Sequence, residues 1–542
     1  MKRLVTVAAV TGLGLAGLGP AAASADQGAA KPAPKLAWHA CAADIVKSVS
    51  ATDTPQAQGS KRIKCAELRV PLDYAKPNGT KITLEVTLTP HTGKGKALGQ
   101  MVVNPGGPGG SGAYFGGRVF NQSSKAMQDA YDFVGFDPRG IGHSVPAIRC
   151  DLKYQLEPRP DYGTGDPKSE KIWLAKTKKY AQDCGKADKV GLLSHDKTID
   201  SAKDVESIRR ALGNRKLDYY GASYGTYLGQ VYAALYPNNV GRMALDGNIG
   251  PSGVWYDANL QQDIWFDRNI DYFFGWLAKW DKVYHLGTTQ KQVRSWFYDL
   301  RAKLAKKPVF VKDPQSGDVT AVTSDSLTDN IQNAGYRRLP SYWFPPANGL
   351  AAYKKGDMAG FADAFGGPTT GESDDNSYFG YSAVQCTDVQ WPTNWAKWQR
   401  DNTRINKKHP FLTWGNAWYN TPCLYWPAKA GKPVDVRHVK KLPTNIMMFN
   451  AASDAATPYP GALELHRALK GSRMLVESDG RTHCIVHRGN PAVDVVWDTY
   501  FLTGKRPAKG LTYVKSTGDP VPPANAALAG TSVKGLGLDI AK

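Results

Sequence analysis

Apolar runs of strand length recur along the chain. Residues 82–89, 101–104, 132–137, 218–221, 243–246, 446–450 and 474–477 are rich in β-branched or aromatic side chains and predict strands. Between them, residues 201–212 place Val205, Ile208, Ala211 and Leu212 at helical spacing, and 226–235 and 458–469 also read as helices. Alternating strands and helices predict an α/β fold with a mostly parallel central sheet covered on both faces.

The alternation breaks between about Pro251 and Lys440. This stretch carries 12 of the 15 tryptophans. It is too long for a loop and predicts an inserted, mainly helical lid domain. Its aromatic residues suit a wall over a binding cleft or an ordinary packed core. The expected organisation is a leader at 1–25, a linker or pro-segment at 26–35, a core at 36–250, the lid at 251–440 and the rest of the core at 441–542.

The leader reads as a secretory signal. Lys2 and Arg3 precede an apolar run at 4–18, and Ala23-Ser24-Ala25 supplies a cleavage site. A retained membrane anchor is the alternative, although the run is short for a span. The chain has 542 residues, 42% hydrophobic and 21% charged, as expected of a globular protein with a sizeable core. The net charge of +20 comes from scattered Lys and Arg without a basic run or a nucleic-acid module, so it reads as surface charge rather than nucleic-acid binding. Of the seven cysteines, Cys41, Cys65, Cys150, Cys184, Cys386, Cys423 and Cys484, none forms a close CxxC pair, which disfavours zinc and redox sites. Neighbour pairing joins Cys41–Cys65, Cys150–Cys184 and Cys386–Cys423 and leaves Cys484 over; other connectivities stay open.

Gly221-Ala222-Ser223-Tyr224-Gly225 lies between a predicted strand and a predicted helix. That context makes Gly-x-Ser-x-Gly a nucleophile elbow, with Ser223 on a tight turn and glycines where strand and helix pass closely. The segment NPGGPGGSG at 104–112 follows another strand. It lacks the endings of a P-loop or a dinucleotide fingerprint, and fits an oxyanion loop. Gly107 and Tyr224 are the expected N–H donors; Pro108 has none.

In this fold an acid and then a histidine follow the nucleophile. Asp454 lies just past one late strand and His483 just past the next, placing them as the orienting acid and the general base. Asp246 and His487 are the alternatives. In the loop Asp137-Pro138-Arg139-Gly140, Asp137 and Arg139 are expected to pair and brace the site, and His143 is a weaker candidate base. His466 lies in a predicted helix and reads as a surface residue. No cofactor or metal is required.

With these pieces assembled, the chain resembles the secreted tripeptidyl aminopeptidases of Streptomyces and related actinobacteria, in the proline-iminopeptidase group of serine peptidases. The resemblance rests on NPGGPGGSG at 104–112, YDFVGFDPRGIGHS at 131–144, SYGTYLG at 223–229, CTDVQWPTNW at 386–395, RDNTR at 400–404, HPFLTWGNAWYNTPCLYWP at 409–427, DAATPYPGALELH at 454–466 and GSRMLVE at 471–477. It spans nearly all of the chain after the leader. Gly-Arg-Thr-His483-Cys departs from the Gly-His that many relatives carry. The resemblance implies a secreted serine exopeptidase that releases tripeptides from free N-termini. It carries the roles of nucleophile, acid and base onto Ser223, Asp454 and His483, and supports Cys386–Cys423 as a lid disulfide.

It also implies peptide or protein substrates and secreted protease inhibitors as partners, with no nucleic acid, and no membrane once the leader is removed. A secreted esterase or lipase with the same triad is the main alternative, and a catalytically dead binding protein a third. An aminopeptidase must recognise a terminal ammonium. Asp257, Asp263, Asp267 and Asp388, in or beside the lid, are the candidates; Asp263 and Asp267 share a face if helical.

Overall fold

The computed structural model describes residues 35–163, 167–372 and 374–523. The expected leader, and all of the expected linker but its last residue, lie outside the described residues. Thirteen strands are numbered in chain order: β1 His39–Ala40, β2 Lys64–Pro71, β3 Lys81–Thr89, β4 Gly99–Asn104, β5 Tyr131–Phe136, β6 Leu217–Ala222, β7 Val240–Asp246, β8 Val309–Lys312, β9 Val319–Val322, β10 Gly367–Pro368, β11 Met447–Ala451, β12 Arg473–Glu477 and β13 Leu511–Val514.

Ten of them form one sheet in the order β1-β2-β3-β5-β4-β6-β7-β11-β12-β13. The β1–β2, β2–β3 and β3–β5 pairs are antiparallel, and every pair from β5 to β13 is parallel. The parallel strands are continuous apolar runs because helices cover both faces: all five residues of β11 are buried, as are the last four of β4 and β6. β2 instead alternates exposed and buried positions at the antiparallel edge. That half-polar pattern is why the sequence did not single it out.

Three helices fall where the periodicity predicts, at Thr198–Ala211, Tyr224–Leu235 and Tyr459–Ala468. A fourth, Pro167–Ala187, is mostly polar but turns Trp173, Thr177, Tyr180, Ala181 and Cys184 inward along one stripe.

β7 and β11 are neighbours, with Phe449 opposite Asp246. The whole segment between them therefore leaves and rejoins the sheet at one place. It is mainly helical, with a small three-stranded sheet in the order β10-β9-β8. Phe273, Phe274, Trp276, Phe297, Trp343 and Phe361 form a core of its own. Its later part brings Tyr378, Phe379, Trp391 and Trp398 into the core that packs on the sheet.

Disulfides join Cys41–Cys65, Cys150–Cys184 and Cys386–Cys423, and Cys484 is free and buried. No helix among the described residues is long and apolar enough to cross a membrane.

Candidate active site

Ser223 is the residue between β6 and the helix Tyr224–Leu235, at φ 56° and ψ −125°. A non-glycine residue holds such a backbone only where its surroundings impose it. Here its N–H donates to the Asp246 carbonyl at 2.9 Å. A Cβ on Gly221 would come within 2.3 Å of the Gly225 carbonyl, and one on Gly225 within 2.8 Å of the Asn104 carbonyl. Strand end, helix start and the end of β4 thus meet at van der Waals limits, which forces the turn to be glycine-flanked.

The loop after β4 folds against this turn. A Cβ on Gly106, at φ 96°, would lie 2.5 Å from the Ala222 carbonyl and 2.8 Å from the Ser223 Cβ. The Asn104 side chain accepts from the Gly106 N–H at 3.0 Å. Buried Asp137 holds the far end of the loop, accepting from the Ser111 hydroxyl and the Gly112 and Ala113 N–H groups at 2.6 to 3.0 Å. Gly107 lines the cavity beside Ser223. Tyr224 opens its helix, so its N–H has no intrahelical acceptor.

On the other side, His483 and Asp454 are both buried and joined, Nδ1 to Oδ2 at 2.8 Å. Asp454 Oδ1 accepts from the Ala456 and Thr457 N–H groups, each at 2.9 Å, and the Thr457 hydroxyl donates to Oδ2 at 2.8 Å. Both carboxylate oxygens are therefore fixed before the imidazole is counted. Burial opposes charge on His483, but the Asp454 carboxylate outweighs it, so the imidazolium is held above its ordinary pKa of 6.5. The His483 loop is anchored twice more. Its N–H donates to the Tyr336 carbonyl at 2.7 Å, and Asp246 accepts from the Ile485 and Val486 N–H groups at 2.9 Å. Burial pushes Asp246 up to about 6.

Ser223 and His483 open into one cavity of about 1120 Å³. The sheet side contributes Gly107, Asn248 and Thr457; the inserted segment contributes Tyr336, Tyr342, Tyr381 and Asn416. Among its lining residues, Asn333 Oδ1, Gln385 Oε1 and Arg488 Nε are buried atoms without a hydrogen-bond partner. Helix Asn376–Asp388 presses on the glycine loop, since a Cβ on Gly109 would lie 2.5 Å from the Ser377 carbonyl and the Tyr381 nitrogen.

The alternatives for acid and base stand elsewhere. Asp246 spends its side chain on the loop after His483 and on the Tyr220 hydroxyl. His487 packs on Trp497 outside the cavity, and burial pushes its pKa down to about 3. His143 pairs with Asp44 at 2.8 Å on the surface side. His466 meets Ser472 at 2.8 Å.

Two expectations need correcting. Asp137 does not pair with Arg139. Arg139 is buried against Asp204, with two bonds of 2.7 Å, because a buried guanidinium needs a carboxylate in fork geometry, while Asp137 is saturated by N–H and hydroxyl donors. Of the ammonium candidates, Asp263, Asp267 and Asp388 do not line the cavity. Asp388 accepts from the Thr198 N–H and hydroxyl and the Trp255 indole. Asp263 is bound by Asn416. Asp267 faces His409, the Phe411 N–H and Arg294. Asp257 does line it and is exposed.

Sequence reasoning passed over Thr457, although Asp-x-x-Thr is a side-chain-capped turn that signals a fixed carboxylate. Arg337 and Arg488, which also line the cavity, carry no local signal.

Known proteins resemble this chain over most of its length. A family described as TAP-like protein matches residues 409–513. The chain is 40% identical over 486 residues to the tripeptidyl aminopeptidase of Streptomyces lividans, covering 88% of this chain and 86% of that one. It is 30% identical over 483 residues to the serine protease Hip1 of Mycobacterium tuberculosis, covering 85% and 89%. Carboxylesterase B of Mycobacterium tuberculosis is 31% identical over 507 residues, covering 89% and 91%. On a sheet, an elbow and a relay of this kind, matched over most of its length, the chain belongs to the tripeptidyl aminopeptidase family of α/β-hydrolase serine peptidases.

Proposed function

We propose that the protein acts outside the cell and releases tripeptides from the free N-termini of peptides through an acyl-enzyme on Ser223. The observation that carries this reading is the carboxylate-held imidazole of His483 opening, with the strained Ser223, into one cavity. Ser223 Oγ attacks the scissile carbonyl carbon while His483 Nε2 takes its proton. The Gly107 and Tyr224 N–H groups receive the oxyanion. As the tetrahedral intermediate collapses, the C–N bond breaks and the leaving amine takes the proton from His483. Water, deprotonated by the same imidazole, then releases the tripeptide. Asp454 keeps Nδ1 protonated and stabilises the imidazolium, in line with its raised pKa.

A terminal ammonium in this partly desolvated cavity needs a carboxylate without another partner. Asp329 is paired with Arg159, and Glu464 with Arg437. Asp257 has no ion pair or side-chain hydrogen bond among the described residues, and Asp374 accepts only the Ser377 N–H, at 3.5 Å. Asp257 is our candidate amine reader, with Asp374, which lines the same cavity, as the second choice. Three disulfides and the basic, apolar leader support an extracellular setting.

The esterase reading gains from the carboxylesterase relative. Against it stand the polar side chains that the inserted segment places on the cavity wall, Gln332, Asn333, Gln385 and Asn416 among them, which suit a peptide backbone better than an acyl chain. A tripeptidyl chromogenic amide, its N-acetyl form and a short acyl ester separate the readings. Turnover of the free-amine amide should exceed both others, and faster ester turnover with equal rates on the two amides would overturn the proposal.

A further inference from the structure

Two guanidinium groups share the corner of the cavity behind His483. Arg337 follows the helix Ser324–Tyr336, and its Nε donates to the His483 carbonyl at 3.2 Å while Nη1 donates to the Tyr342 hydroxyl. Arg488 comes five residues after His483, and its buried Nε has no partner. Neither forms an ion pair among the described residues, in contrast to Arg139, Arg159 and Arg338. Of the acids nearby, Asp494 feels the charge of Arg488 but accepts the His487 N–H at 2.8 Å and forms no ion pair with either arginine, and Asp246 accepts the N–H groups of Ile485 and Val486. Both arginines line the cavity with Ser223. Two like charges without a direct ion pair in a half-buried site are costly unless something anionic visits it.

The place of this corner says which anion. His483 hands its proton to the leaving nitrogen, so groups clustered around His483 meet the leaving part of the substrate and not the acyl part. We propose that Arg337 and Arg488 form an anion subsite for a carboxylate on the first residue after the scissile bond, either an acidic side chain or the terminal carboxylate of a single-residue leaving group. The inference rests on the peptidase reading above. It makes the corner a determinant of which peptides are cut fastest, through fork-shaped donors that match a carboxylate.

Two substrate pairs test it, with released tripeptide measured by chromatography. The first is Ala-Ala-Ala-Ala as free acid and as amide; the second is Ala-Ala-Ala-Glu-Ala amide and its Gln counterpart. Wild type should prefer the anionic member of at least one pair by roughly tenfold or more in kcat/KM, the scale of a charged hydrogen bond. Arg488→Gln should bring that ratio near one, and Arg488→Lys should restore part of it. Preference confined to the first pair assigns the terminal carboxylate, and to the second the side chain. No preference in wild type, or one that Arg488→Gln leaves intact, overturns the subsite. Should folded wild type cut neither pair, the peptidase reading fails instead. Calorimetric titration with Glu-Ala against Gln-Ala amide then decides the subsite alone: tighter binding of the anion, lost in Arg488→Gln, upholds it, and equal binding refutes it.

Discussion

On the sheet side of the cavity, the polar groups around Ser223 and His483 are fixed by backbone at strand ends; on the side of the inserted segment, the wall is made of tyrosines and side-chain amides. Asp454 takes two N–H groups and a hydroxyl, Asp246 two N–H groups and a hydroxyl, Asp137 three N–H groups and a hydroxyl. Across the gap, tyrosines supply much of the wall, and Asn333 and Gln385, which also line it, each keep a buried oxygen without a partner. Chemistry needs positions set before substrate arrives. Recognition of varied peptides needs donors and acceptors that substrate itself completes. The division assigns turnover to the first side and selectivity to the second.

The largest expected effect lies on the sheet side. Ser223→Ala should lower kcat by roughly 10⁴-fold or more, with thermal unfolding unchanged. A variant that keeps activity while a serine-directed phosphonate still labels the protein would place the nucleophile elsewhere.

Asp454→Asn should cost about as much, near 10⁴-fold, because Asn can hold the imidazole in the wrong tautomer. The pH profile sharpens the point. In the proposed mechanism His483 works as a base only when neutral, and despite burial its pKa is raised by Asp454. The ascending limb of kcat/KM should therefore lie above pH 6.5, the ordinary imidazole value, and fall toward or below it in Asp454→Asn. A wild-type limb at or below that value would show that the carboxylate does not govern the base.

Thr457→Val removes one hydroxyl bond to the acid while keeping shape. About 10- to 100-fold in kcat with little change in KM is expected, the scale of a hydrogen bond to a charged group. On the other side of the cavity the sign of the split should reverse. Asp257→Asn should raise KM for free-amine substrates by roughly tenfold and leave kcat nearly alone, as loss of binding common to ground and transition states does. Equal effects on kcat in both variants would erase the proposed division of labour.

The same contrast explains what the sequence revealed. The sheet strands are unbroken apolar runs and the turn at Ser223 demands glycines, so residues 101–104 and 218–221 and the elbow announce themselves locally. Order along the chain then places Asp454 and His483. The wall opposite has no such grammar. Asp388 and Asp263 look like free carboxylates in sequence, yet tertiary packing turns them onto Thr198, Trp255 and Asn416. Arg337 and Arg488, 151 positions apart, come to line one cavity only because the end of the helix Ser324–Tyr336 packs on the His483 loop. Strand β2, second from the sheet edge, and the polar helix Pro167–Ala187 escaped notice because half of each faces water.

The smallest expected effect concerns Cys484, the thiol closest to the base. Its Sγ lies 3.5 Å from His483 Nε2 and donates to the Asp246 carbonyl at 3.3 Å. Position alone makes it a rival nucleophile. Two facts argue otherwise. The thiol is almost fully buried, at 2% exposure, and it points at the carbonyl that also holds the Ser223 N–H. A group in that place packs the junction between the elbow and the base loop. Cys484→Ala leaves a small void and removes a weak hydrogen bond, so a loss of about 1 kcal/mol in stability and less than about tenfold in kcat is expected. Mass mapping of the unreduced protein should find this cysteine unpaired beside three intact disulfides. Thiol reagents should react slowly with the folded protein, since burial shields the sulfur, and should inhibit by crowding His483 once they do. A loss in Cys484→Ala as large as that in Ser223→Ala would show that the thiol takes part in bond making, and the sheet side of the cavity would need a different chemistry.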